Sequence, residues 1–446
     1  MYTKIKLLNF LKSNFLFFTF LTLLTIYLQY KNILSWGGYA GYVLQAKVAL
    51  SRDFYNFIDS QSILYSYTEF QRDPVYTPIG LPILINILSI FHNWNLILIK
   101  LIIPISLFLL FLLIIKHENI HDYKSLMFIP FINPAVIDEF RDIQSEIPGL
   151  LFFFLGIYTK HSIFKNFFFI VSILFRPTFV PLVLLFFILQ KKSLKKKIIN
   201  LSVFTILFSS LALIIYLTFD VLISGDQSNT KSGKSGIMQM VDFFITIDYE
   251  RFNFIFSELG RLFVGFTTNI NFLIGLAIFG SSLFFRNYFG YAAALFVLIH
   301  FGWEAPYFVR YFLPILFFYF IGLFKFLKNK YKFESKFVSI LILFFISGYF
   351  LQIIYQVDKL QNQRGPYQTE SIELFEEVEQ YSKDTLFSFH SPRVFRLFTN
   401  KDAYRYDTRF IPGTVVICEY VNEECFFPKN YELVFSNNSY KIFNLK

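Results

Sequence analysis

Apolar runs near the length that spans a bilayer recur along this chain, and short clusters of lysine separate them. A soluble core does not need repeated apolar segments of about 20 residues, whereas a helical membrane protein does. The composition agrees: 55% of the 446 residues are hydrophobic, only 16% are charged, and 64 are Phe. The expected fold class is a polytopic α-helical membrane protein with a small C-terminal α/β domain.

The formal charge of +10 would suit a nucleic-acid partner if the basic residues formed one surface. They do not. Lys4, Lys6 and Lys12, Lys116 and Lys124, Lys160 and Lys165, Lys191 to Lys197, Arg286, and Lys325 to Lys336 fall between apolar segments. Those stretches hold 18 Lys and Arg against three acids, while residues 31–94 carry four of each sign. Such asymmetry follows the positive-inside rule and sets topology, so no nucleic acid is expected.

The apolar run from Phe15 to about Tyr30 follows a basic tip. It exceeds a usual signal-peptide core and lacks an A-x-A cleavage site, so it reads as an uncleaved first span. Spans are then expected near 95–115, 125–138, 147–160, 166–176, 178–190, 198–218, 262–285, 288–301, 311–327 and 337–356, about eleven in all. Residues 77–91, interrupted by Pro78, Gly80 and Pro82, read as an interfacial helix that does not cross,. The transmembrane unit is 1–356, with outer loops at 31–94 and 219–261. The N-terminus is expected inside a bacterial plasma (inner) membrane and the C-terminus outside.

Residues 357–446 contain no spanning run. An acidic helical stretch from Glu370 to Tyr381 precedes β-rich runs at 385–389 and 414–418, broken at Ser391-Pro392, Pro412-Gly413 and Asn437-Asn438,. The two cysteines, Cys418 and Cys425, either bridge a hairpin on an oxidising side or remain two thiols,.

Between two apolar segments, Asp138, Glu139, Arg141, Asp142 and Glu146 lie within nine residues. Charges at membrane depth are costly and face a cavity or a partner. On the expected topology Asp53, Asp59, Glu69, Arg72 and Asp73 lie on the same outer side. So do Lys100, Arg176 in Phe175-Arg176-Pro177, and Glu304 and Arg310 in the turn before Tyr311. The cations alone could snorkel to headgroups. Their gathering on the side where positive charge is disfavoured points to a shared cavity, in which a carboxylate takes a proton and cations hold a departing phosphate.

Two other patterns carry little. Lys231-Ser232-Gly233-Lys234-Ser235-Gly236 mimics a phosphate loop, but Ser228 stands where that pattern needs glycine,. The six histidines lack ligand spacing, so no zinc site is expected.

The order of several short motifs resembles the multi-spanning GT-C glycosyltransferases, which include protein O-mannosyltransferases and the aminoarabinose transferase of lipid A. These motifs are Gly41-Tyr42-Val43-Leu44-Gln45-Ala46-Lys47, Pro74-Val75-Tyr76-Thr77-Pro78-Ile79-Gly80-Leu81-Pro82, and Ser145-Glu146-Ile147-Pro148. They continue with Arg176-Pro177, Arg310-Tyr311-Phe312-Leu313-Pro314 and Ser391-Pro392-Arg393. The resemblance implies transfer of a sugar from a polyprenyl-phosphate donor to a lipid, glycan or protein acceptor, beside membrane lipids. By position it implies that Glu146 is the second-loop acid; Asp142, Arg141, Tyr76, Lys100, Arg176 and Arg310 are the expected substrate-binding residues. Second-loop acids of this family assist substrate or metal binding, which leaves a divalent cation open. The chain departs at the first-loop acid, whose place holds Gly38. Either Asp73 or Asp53 substitutes as base, or the chain is a non-catalytic relative. A transporter or flippase of lipid-linked sugars is the rival reading, disfavoured by short, merely basic inner loops and by the lack of an internal repeat.

Overall fold

The computed structural model describes residues 19, 39–48, 78–118, 129–138, 143–219, 248–265, 267–301, 309–330, 348–349, 351–355, 365–404, 413–419 and 430–445. These residues are mostly helical, with one small sheet near the C-terminus. In chain order the helices before the sheet domain are α1 (Tyr39–Val48), α2 (Gly80–Ile87), α3 (Ser89–His92), α4 (Leu96–Lys100), α5 (Ile102–Glu118), α6 (Pro134–Asp138), α7 (Glu146–Tyr158), α8 (Ser162–Phe175), α9 (Val180–Leu189), α10 (Leu194–Phe219), α11 (Tyr249–Val264), α12 (Asn271–Phe284), α13 (Tyr288–His300) and α14 (Leu313–Lys330).

Two helical stretches among the described residues are long and apolar enough to cross a membrane. Leu96–Glu118 has 23 residues and is 56% buried, and Leu194–Ile214 has 21 residues and is 6% buried. The shorter apolar helices run from 10 residues in α9 to 14 in α8 and α12. At about 1.5 Å per residue these reach at most roughly 20 Å, less than the roughly 30 Å hydrocarbon layer. Specific residues set their ends. Arg176 adopts an extended backbone (φ −148°, ψ 100°), because a following proline disfavours the helical region, and Pro177 then opens a short 3-10 turn into α9,. Gly265, at φ +90°, closes α11 in the left-handed region,.

The expected outer loop at 219–261 is described only at 219 and from residue 248 onward, where it is helical. Tyr249–Val264 is a helix whose start is capped by Asp248 Oδ1, which accepts from the Arg251 amide at 3.0 Å. Ile255, Phe256, Leu259, Leu262 and Phe263 form its buried face. Arg251, Glu258 and Arg261 dilute the mean hydropathy of the segment, so its amphipathic stripe is hidden from a search for apolar runs,. The expected span at 262–285 is divided by the turn at Gly265, and α12 begins at Asn271. The Pro-interrupted stretch expected to lie flat forms the short helices α2 and α3.

Aromatic side chains dominate the main core. Phe153 stacks on Phe179 at 5.0 Å and meets Phe318 edge-on at 5.5 Å, which locks α7 to the 3-10 turn and to α14,. A second core joins Tyr39, Tyr42, Val43 and Ala46 of α1 to Leu81, Ile85, Ile99, Ile143, Phe175 and Val394.

The C-terminal domain runs α15 (Thr369–Glu379), β1 (Phe387–Ser388), α16 (Pro392–Thr399), β2 (Ala403–Tyr404), β3 (Val415–Glu419), β4 (Tyr431–Ser436) and β5 (Tyr440–Leu445). Its strand order is β2-β1-β3-β5-β4. β1 pairs parallel with β2 and β3, and β5 pairs antiparallel with β3 and β4. The β4–β5 turn is built by Asn437, whose Oδ1 accepts from the Ser439 and Tyr440 amides at 3.0 and 2.8 Å,. Its Nδ2 donates to the Glu370 carbonyl at 2.8 Å, tying the hairpin to α15.

Cys418 on β3 is disulfide-bonded, and the chain's other cysteine, Cys425, lies outside the described residues. Alkylation of the denatured, unreduced protein should therefore add no label, and reduction should expose two thiols. Labelling before reduction would contradict the bond.

Candidate functional site

Glu146 opens α7, where the unpaired amides of the first turn favour a carboxylate,. Pro148 fits there because first-turn amides have no intrahelical partner. One turn on, a Cβ at Gly149 would lie 2.9 Å from Phe175 Cβ and 3.2 Å from the Phe179 ring. The bare glycine thus lets the α8–α9 corner approach α7 closely. That approach delivers Arg176, at the corner, to Glu146.

Arg176 Nη1 donates to Glu146 Oε1 at 2.7 Å, with the two side chains 6% and 1% exposed. The Arg176 guanidinium also lies over the Tyr311 ring, 5.1 Å from its centroid,. Glu146 Oε2 and Arg176 Nε and Nη2 are buried and have no hydrogen-bond partner among the described residues. Buried polar groups are nearly always paired, so this arrangement holds spare capacity for one hydrogen-bond donor and for anionic oxygens.

The surroundings come from distant parts of the chain. Tyr42 Oη on α1 lies 3.3 Å from Ser145 Oγ, beside Glu146. A Cβ at Gly80 would meet the Phe175 backbone nitrogen at 2.7 Å, so α2 presses on the end of α8 that carries Arg176. His300 is fully buried, stacks on Phe312 at 4.4 Å, and its Nδ1 lies 2.7 Å from the Phe296 carbonyl. It is within reach of the Arg176 charge. From the C-terminal domain, Arg393 lies against Gly41, where an added Cβ would come 2.9 Å from its Nη1.

Lys100 does not snorkel: it is 3% exposed, at the end of a helix capped by Asn95, whose Oδ1 accepts from Ile97 and Leu98. Its neighbour Ile99 packs in the same core as Ile143 and Phe175. Arg310 falls in the 3-10 turn Val309–Phe312, with its side chain outside the described residues. Asp53, Asp73, Tyr76, Arg141 and Asp142 also lie outside them. Of the expected site residues, the structure joins Glu146 directly to Arg176. Roles for Tyr42, Ser145, His300 and Tyr311 escaped the sequence reading. Tyr42, Ser145 and Tyr311 stand inside the quoted motifs, whereas His300 had no signal beyond its place near the end of an apolar run.

A second polar cluster occupies the opposite end of α7. Tyr158 donates to Glu118 Oε1 at 2.7 Å, and Lys325 Nζ lies 2.9 Å from Glu118 Oε2. Both carboxylate oxygens are thus engaged, and the cluster ties α5, α7 and α14 together. Among the described residues no group of three or more His, Cys, Asp or Glu is placed to hold a metal ion.

No protein-family model matches the chain, and no curated protein matches it. The Glu146–Arg176 geometry itself therefore carries the chemical reading. A carboxylate with one uncommitted oxygen can accept a proton. An adjoining guanidinium with two uncommitted nitrogens can bind an anionic leaving group.

Proposed function

We propose that this chain is a polytopic membrane glycosyltransferase, GT-C-like, moving a sugar from a polyprenyl-phosphate donor to a lipid, glycan or protein acceptor on the extracytoplasmic face. The observation that carries the reading is the buried Glu146–Arg176 pair, whose remaining polar atoms lack partners among the described residues. In the reaction the acceptor hydroxyl oxygen attacks the anomeric carbon as the bond from that carbon to the phosphate oxygen breaks. The bonding electrons leave with the polyprenyl phosphate, which Arg176 steadies together with Arg310 or Lys100. The hydroxyl proton passes to a carboxylate, either Glu146 through Oε2 or a first-loop acid, Asp73 or Asp53. The product is a glycoside of inverted configuration.

Membrane placement has its own support. The Leu194–Ile214 stretch is only 6% buried, so it is no soluble core helix, and it lies far from the N-terminus. Ile198, Ile206, Leu213 and Ile214 are each at least 54% exposed. Contact with water would penalise such a surface by about 25 cal/mol per Å² of apolar area, a penalty that lipid removes. The lysine distribution favours about eleven spans with the N-terminus inside, and the Cys418 disulfide favours an oxidising side for the tail,.

The decisive assay mixes membranes containing the chain with radiolabelled polyprenyl-phosphate sugars and follows label into acceptors. Label should transfer, and Glu146→Gln membranes should not support it. Movement of the donor across the bilayer without any glycosylated product would select a lipid-sugar transporter instead. For topology, a reporter active only outside the cytoplasm should be active when fused after Lys446. Activity of a cytoplasmic reporter at that position would overturn the outer placement of the site.

A further inference from the structure

A second unsatisfied polar site lies at the base of the α8–α9 hairpin, the end opposite Arg176. The register of the hairpin follows from its rings: Phe169 meets Phe186 at 5.2 Å and Phe187 at 5.7 Å. One turn further from the corner, Asn166 on α8 falls level with Gln190, which closes α9. Asn166 is 1% exposed, and both its side-chain polar atoms are buried with no partner among the described residues. Gln190 Oε1 and Nε2 are in the same condition. Two amides are therefore held out of water, with four polar atoms unanswered among the described residues.

Lysines border these amides. Lys165 precedes Asn166 and lies over the Phe186 ring, 5.3 Å from its centroid, while Lys192 follows Gln190 through a tight turn closed by its own amide at 2.9 Å. The two ammonium groups are close enough to repel one another, and neither has an acidic partner among the described residues. Next to them the outer face of α8 exposes Ile163, Phe164 and Phe167 at 78%, 59% and 55%, and α10 exposes Leu194, Ile198 and Ile199.

We propose that this hairpin base binds the headgroup phosphate of an anionic phospholipid, with Lys165 and Lys192 on the charge and Asn166 and Gln190 on the headgroup oxygens. Charge complementarity selects the headgroup, because a bound anion turns the repulsion of the two lysines into attraction for a shared partner. The flanking apolar faces suit its acyl chains. The site rests on the membrane placement argued above and is independent of sugar transfer.

The test uses the purified full chain in neutral detergent, titrated with phosphatidylglycerol or phosphatidylcholine, with bound lipid counted by native mass spectrometry. Phosphatidylglycerol should bind about tenfold or more tightly than phosphatidylcholine. The Lys165→Gln/Lys192→Gln variant should lose that preference and Asn166→Leu should weaken it. Lys195→Gln/Lys196→Gln, which alters two exposed lysines of the following helix, should keep it. Equal binding of the two lipids, or equal losses in both lysine variants, would overturn the site in favour of diffuse surface attraction. A third arm adds millimolar inorganic phosphate. Displacement of phosphatidylglycerol at that concentration would assign the site to free phosphate and overturn the lipid assignment.

Discussion

Glu146→Gln should abolish sugar transfer and lower stability by about 3–5 kcal/mol, because it leaves the buried Arg176 guanidinium without its counter-charge,. Arg176→Met should do the same by stranding the carboxylate. Loss of turnover in either variant alone therefore mixes a chemical role with a folding role. The double variant Glu146→Gln/Arg176→Met separates them, since removing both charges together relieves the uncompensated ion. It should regain most of the thermal stability of the detergent-solubilised protein and none of the transfer. Recovered transfer in the double variant would reduce the pair to a structural tie. Wild-type stability in Glu146→Gln would show that the carboxylate is not committed to Arg176.

The second large effect lies away from the site, where α11 and α12 meet backbone to backbone. A Cβ at Gly260 would overlap the Asn271 carbonyl oxygen, and one at Gly275 would overlap that of Phe256. Backbone cannot yield as a flexible side-chain tip can, so Gly260→Ala and Gly275→Ala should each destabilise by about 1–3 kcal/mol through overpacking. Gly280, on the same helix α12, has nothing within 4 Å of its added Cβ. Gly280→Ala should be neutral or stabilise by up to about 1 kcal/mol through helix propensity. Melting curves that place all three variants together would refute the close approach of these helices.

Features with a short-range cause were legible in the sequence. The Arg176-Pro177 corner follows from proline's effect on its neighbour, and the β4–β5 turn follows from Asn437,. Glu146 stood out because carboxylates beside apolar runs need a reason. Its partner was not legible, since 30 residues separate it from Arg176 and no local pattern encodes that meeting. The α11 helix was missed for a different reason. Its charges lower the average while its apolar stripe keeps helical spacing, so a periodicity test would have found what a hydropathy average hid,. The amides of Asn166 and Gln190, without partners among the described residues, have no sequence signal, because an amide declares itself orphaned only once its neighbours are placed.

The second core has a consequence for how the protein is made. Tyr39, Tyr42 and Val43 leave the ribosome early, whereas Val394, which shares their core, leaves it near the end of synthesis. Such a contact cannot form while the intervening helices are still being produced, and chains with contacts so distant in sequence close them late. On the proposed topology α1 can pack early against Leu81 and Ile85 of α2, but its core waits for Val394 until α16 is delivered to the same side. During that interval Gly41 lacks its contact with Arg393, and on the proposed topology the second core is completed only after the tail has reached the outer side.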